Sequence, residues 1–106
     1  MITTEEKLQL LITKIEGSSL SIEDRSLIYA KIRDGFRSAI FPVIVKNLSQ
    51  EELQKLHRDL DHVTPQKFLS LISSAFSTKQ IYKDMDELLL KIIYNYEKLL
   101  KEERVI

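Results

Sequence analysis

Apolar residues recur every fourth position from Ile28 through Ile32, Phe36, Ile40 and Ile44 to Leu48, the most regular pattern in the chain. On a helix of 3.6 residues per turn each such step drifts by about 40°, so these side chains form one slowly winding ridge. The pattern predicts a central helix whose ridge must be covered by neighbouring helices. Pro42 falls inside it. Its missing amide leaves the Ser38 carbonyl without a helical partner and its ring presses on the same turn, which predicts a kink or break near Phe41.

The same patterning places four further helices. Thr3 caps the first, with Glu6 three residues on to complete a capping box and Leu8, Leu11, Ile12 and Ile15 as its core stripe; Gly17 should stop it. Ser21 starts the central helix, with Glu23 and Asp24 in the first turn, and Leu27, Ile28 and Ile32 begin its buried side. Gly35 permits either a close helix crossing or a local bend. Three later starts share one grammar, a cap flanked by an apolar residue on each side. They are Leu48-Ser49 with Glu52 and Leu53, Val63-Thr64-Pro65 with Phe68, and Phe76-Ser77 with Gln80 and Ile81. Pro65 suits a first helical position, where its missing amide costs nothing. The last helix, roughly from Thr78 to Glu103, carries Ile81, Met85, Leu88, Ile92, Tyr96 and Leu99 on one stripe, widened by Leu89, Leu90, Ile93, Tyr94 and Leu100. The expected fold is all-α: a compact bundle of about five helices joined by short turns, with the central helix kinked or broken near Pro42.

Composition agrees with this. Two glycines and two prolines among 106 residues are few for sheets and their turns. The 43% apolar and 30% charged fractions are those of a globular chain, and the length fits one domain, residues 1–106. Sixteen basic residues balance sixteen acidic ones, so no overall field draws in nucleic acid or an anionic membrane. With no cysteine there are no disulfides, thiolate nucleophiles or zinc-thiolate sites. Glu5 and Glu6 stand where a secretory signal would be basic, and no apolar run approaches a membrane span, so the expected location is cytoplasmic.

Chemistry-bearing residues concentrate only in His57-Arg58-Asp59-Leu60-Asp61-His62. His57 and Asp61 would share one helical face and Asp59 and His62 another, either pair offering two metal ligands of the four a site needs. A solvated polar face is the simpler reading, so neither a metal site nor a cofactor is expected. Ser70, Ser73, Ser74 and Ser77 lie in no nucleophile elbow or phosphate-binding loop, and no enzyme is expected. Lys31, Arg33, Arg37 and Lys46, with Tyr29 beside them, make a sparse basic patch interrupted by Asp34, which argues against nucleic acid.

The remaining feature is the over-wide apolar circumference of the last helix. Leu88, Leu89, Leu90, Ile93, Tyr94, Tyr96 and Leu100 are the expected interface, because tyrosine joins an apolar body to a polar tip at such borders. The function expected is a small interaction module that binds a protein partner or itself. In length and pattern, and over Ser21 to Leu48, which looks like a helix pair of that kind, the chain is similar to the enterocin-type bacteriocin immunity proteins. That resemblance implies a small cytoplasmic helical bundle acting as an inhibitor.

Overall fold

The computed structural model describes residues 2–106. Five helices follow in order: α1 Thr4–Glu16, α2 Ile22–Asn47, α3 Gln50–Asp59, α4 Pro65–Phe76 and α5 Tyr82–Glu102. Four begin on an extended residue whose hydroxyl accepts a backbone N–H three residues on: Thr3 from Glu6, Ser21 from Asp24, Ser49 from Glu52 and Thr64 from Lys67. Ser49 and Glu52 complete a reciprocal capping box. At Thr3 only the forward half of the expected box forms.

α5 departs from the expected start. Ser77 keeps helical angles, φ −56° and ψ −27°, and closes α4 with its N–H on the Ser73 carbonyl. A residue in that conformation cannot aim its hydroxyl at the following amides, so the cap predicted there is absent. Residues 77–81 instead form turns, and α5 begins after Ile81 with no side-chain cap.

Of the kink or break expected at Pro42, the break does not form. α2 continues through it for 26 residues. Ile40 and Ile44 anchor the turns on either side in the core, while Pro42 and Ser38, the residue whose carbonyl loses its helical partner, are both exposed.

α1 and α2 each pack on both α4 and α5, and the tightest pairing is α2 with α5. The result is a slab of 43 × 30 × 18 Å, about two helix layers thick. Ile32, Phe36, Ile40 and Ile44 of the ridge are buried, with Ile28 and Leu48 half-buried at its ends. Phe36 meets Phe68 of α4 with ring centroids 5.7 Å apart. Leu27, one position off the ridge and so about 100° around the helix, is exposed rather than on the buried side. Gly35 resolves as a crossing: a β-carbon there would lie 3.2 Å from Ile92 Cγ2 and 3.3 Å from Tyr96 Cε2. The bend alternative is not needed.

α5 ends in a Schellman motif. The Arg104 N–H bonds the Lys101 carbonyl at 3.1 Å and the Val105 N–H bonds the Leu100 carbonyl at 2.8 Å. The motif requires a left-handed residue, and Arg104 supplies it at φ 59°. Arg104 is exposed, so Arg104→Gly removes the strain without unpacking anything. The expected gain is about 0.5–1 kcal/mol, after allowing for the greater freedom of glycine in the unfolded chain, read as a higher denaturation midpoint.

Candidate functional site

An open apolar surface lies along the seam of α2 and α3. Off the ridge, Phe41 projects to the outside of α2 at 43% exposure, and Val45, one turn on, is 45% exposed. The short Leu48-Ser49 corner then folds α3 back along α2. α3 is held there through its side chains, with Leu56 and Leu60 buried and Leu53 half-buried, and not by a long backbone crossing. Phe41, Leu53, Gln54, His57 and Arg58 line an open cleft of ≈ 470 Å³. A smaller space that shares Phe41, Leu53 and His57 with it is lined by Ile40, Ile44 and Phe68.

Arg58 lines this cleft, and Arg37 lines the smaller space that adjoins it. The Nη2 of Arg37 is buried without a hydrogen-bond partner, and its closest carboxylate, Asp61, stands 3.9 Å away, too far for a hydrogen bond. No carboxylate lines the cleft.

A second polar arrangement sits between α1 and α5. Glu97 continues the buried stripe of Met85, Leu89 and Ile93 and is only 8% exposed. Lys7 reaches its carboxylate at 3.1 Å, Lys14 at 3.4 Å and Lys101 at 3.8 Å. Lys7 Nζ also lies 4.8 Å from the centre of the Tyr94 ring. Burial pushes the Glu97 carboxyl up, but the Lys7 hydrogen bond and the charges of Lys7, Lys101 and Lys14 outweigh it and hold it below the ordinary glutamate value. One carboxylate serving three lysines, two of them from α1, fastens α1 to the end of α5.

The residues expected at an interface are divided by this packing. Leu89, Ile93 and Leu100 belong to the core and offer no surface. Leu88, Leu90 and Tyr96 are half-buried, and Tyr96 donates its hydroxyl to the Lys31 carbonyl at 3.1 Å. Burial and the nearby charge of Asp34 push that hydroxyl above the ordinary tyrosine range. Tyr94 alone is open, at 51%, and it is engaged by Lys7.

The polar run 57–62 is dispersed as well. α3 stops at Asp59 and His62 is left-handed, at φ 59°, so Asp59 and His62 share no helical face. Asp61 faces Arg37 and His62 while His57 lines the cleft. Among the described residues no three potential metal ligands gather. The basic residues of α2 are partly occupied: Arg33 pairs with Asp34 and reaches the Val63 carbonyl, and Tyr29 donates its hydroxyl to Glu16. Burial, then that hydrogen bond and the Glu16 charge, push Tyr29 well above the ordinary tyrosine range.

Sequence reasoning missed both arrangements. Phe41 carried a usable signal, being a large apolar residue off the ridge that no helix-start staple claimed. Glu97 carried one too, since it stands four residues beyond Ile93 on an apolar stripe. Among the described residues no helix is long and apolar enough to cross a membrane. Compared with protein-family models, curated proteins and solved structures, the chain finds no match.

Proposed function

We propose that this bundle is an interaction module of the cytoplasm that binds a protein partner through the seam of α2 and α3. The supporting observation is the continuous exposed apolar surface of Phe41 and Val45 with Leu53 beside them, beyond what the chain covers itself. The α5 face is the weaker docking candidate, because most of its apolar residues are already packed. A photo-reactive phenylalanine analogue placed at position 41 should cross-link a discrete partner in cells. The same group at position 94 should not, and adducts from 94 with none from 41 would reverse the assignment.

The all-helical bundle also favours a second reading, an immunity-type inhibitor whose partner is a toxin or the toxin's target. Expression in a toxin-sensitive strain should then protect it, and the Phe41→Ser variant should not. Unchanged sensitivity on expression of the intact chain would remove this reading and leave the first.

A further inference from the structure

We infer that α3 is a hinged cover: it swings away from α2 and α4 about its two flanking corners while the other four helices stay folded, and so exposes Ile40, Ile44 and Phe68. The inference goes beyond the docking reading and does not rest on it. Little besides three leucines holds α3 in place. The broad packings of the bundle are α2 with α5 and α4, and α1 with α5 and α4, and α3 takes part in none of them. Leu56 is the buried residue within α3, Leu60 is buried just past its end, and Leu53 is half-buried. Its polar side chains add no fastening. The Ser49–Glu52 bonds are internal to its own cap, and among the described residues no hydrogen bond or ion pair joins residues 50–59 to another helix. By contrast, α1 is tied to α5 through Lys7, Lys14 and Glu97, and α5 to α2 through the Tyr96 hydroxyl.

Open space flanks α3 on both sides, so little has to move when it leaves. Toward α2 lies the ≈ 470 Å³ cleft, lined by Leu53, His57 and Arg58, and toward α4 a groove of ≈ 360 Å³, lined by Glu52, Lys55 and Asp59. An element with so few buried apolar contacts opens at a fraction of the free energy of global unfolding. Two features of the closed form favour departure. The Arg37 Nη2, buried without a hydrogen-bond partner, belongs to a side chain that lines the space between α3 and α2, and opening returns it to water. His62, in the corner after α3, is left-handed at φ 59°, a strained conformation that movement of the link lets it leave. The motion is bounded at both ends: the Leu48 N–H bonds the Ile44 carbonyl at 3.1 Å, and Arg33 reaches the Val63 carbonyl.

Thiol labelling tests this, because the chain has no cysteine and a single introduced one is its sole thiol. Ile32 and Ile40 are both 0% exposed on one ridge of α2, but only Ile40 borders the space beside α3. With an aromatic disulfide reagent, Ile40→Cys should react at least about tenfold faster than Ile32→Cys and with a smaller urea dependence, since opening exposes less surface than unfolding. Leu60→Cys, on the α3 side of the same seam, should share the urea dependence of Ile40→Cys. Glu97→Gln weakens the α1–α5 packing that the open form retains, so it should speed labelling at position 32 by at least about tenfold and leave position 40 unchanged. If Ile40→Cys does not fold, Ile44→Cys probes the same space. Equal rates at 32 and 40, a parallel response of both to Glu97→Gln, or a Leu60→Cys as slow as Ile32→Cys each overturn the inference. Cross-linking from position 41 reads a partner and not this opening, so the docking reading and the hinge fail separately.

Discussion

Glu97→Gln should destabilise the fold by about 2–3 kcal/mol, lowering the thermal midpoint by about 10 °C or more. The amide keeps the shape of the side chain but withdraws the one negative charge that three lysines share. Removing one member of a fully buried pair costs about 3–5 kcal/mol, because a buried charge is left without compensation. Here the figure is discounted, since Lys14 is 46% exposed and swings into water at little cost. Lys7 is only 16% exposed and has no such exit, and the Tyr94 ring offers it a weaker partner than a carboxylate.

Two further measurements separate the ion pair from mere packing. Glu97 has its folded-state pKa depressed, so its contribution is fully present above the unfolded value of 4.5 and is lost as the pH falls through the lower folded value. Glu97→Gln should therefore show a shallower loss of stability on acidification below about pH 4.5 than the parent. Lys7→Leu combined with Glu97→Leu should recover most of the stability that either single change loses, because an apolar pair of similar volume avoids the desolvation of both charges. Additive single losses in that double-mutant cycle would show that Lys7 and Glu97 are not coupled.

What was legible in the sequence and what was not divides along physical lines. The caps at Thr3, Ser21, Ser49 and Thr64 formed where expected because cap chemistry is settled within four residues. Ser77 has the same local pattern, yet its backbone stayed helical, so the pattern permits a cap without requiring one. From Met85, which the expected stripe also holds, the buried face of α5 runs on through Leu89, Ile93 and Glu97 rather than through Leu88, Ile92 and Tyr96. With apolar residues at 88, 89, 90, 92 and 93, periodicity does not single out one face. The choice is made by partners distant in the chain: Gly35 against Ile92 and Tyr96, and Lys7 and Lys14 around Glu97. The α2–α3 cleft was illegible for the same reason. It exists only because the Leu48-Ser49 corner lays Leu53 and His57 beside Phe41, a juxtaposition that no single helix displays.

Gly35→Leu should cost about 3 kcal/mol or more, by forcing apart the tightest helix pair in the bundle. The size of the effect follows from what a side chain meets there. Even a single β-carbon would lie 3.2 Å from Ile92 Cγ2 and 3.3 Å from Tyr96 Cε2, so the further atoms of leucine have no room without opening the α2–α5 crossing. Opening it would also strain the bond from the Tyr96 hydroxyl to the Lys31 carbonyl. Gly35→Ala is the informative contrast, because alanine gains about 1 kcal/mol of helix propensity while asking the neighbours to give by only tenths of an ångström. Its net change should stay within about 1 kcal/mol of the parent. Ile92→Leu removes the methyl branch at the β-carbon and keeps the volume, so it should relieve the contact that alanine creates. Denaturation midpoints of the two single variants and the double should then be non-additive, with the double more stable than their sum. If instead Gly35→Leu melts with the parent, the crossing has room that this packing denies, and Gly35 would be serving only as a tolerated helix residue.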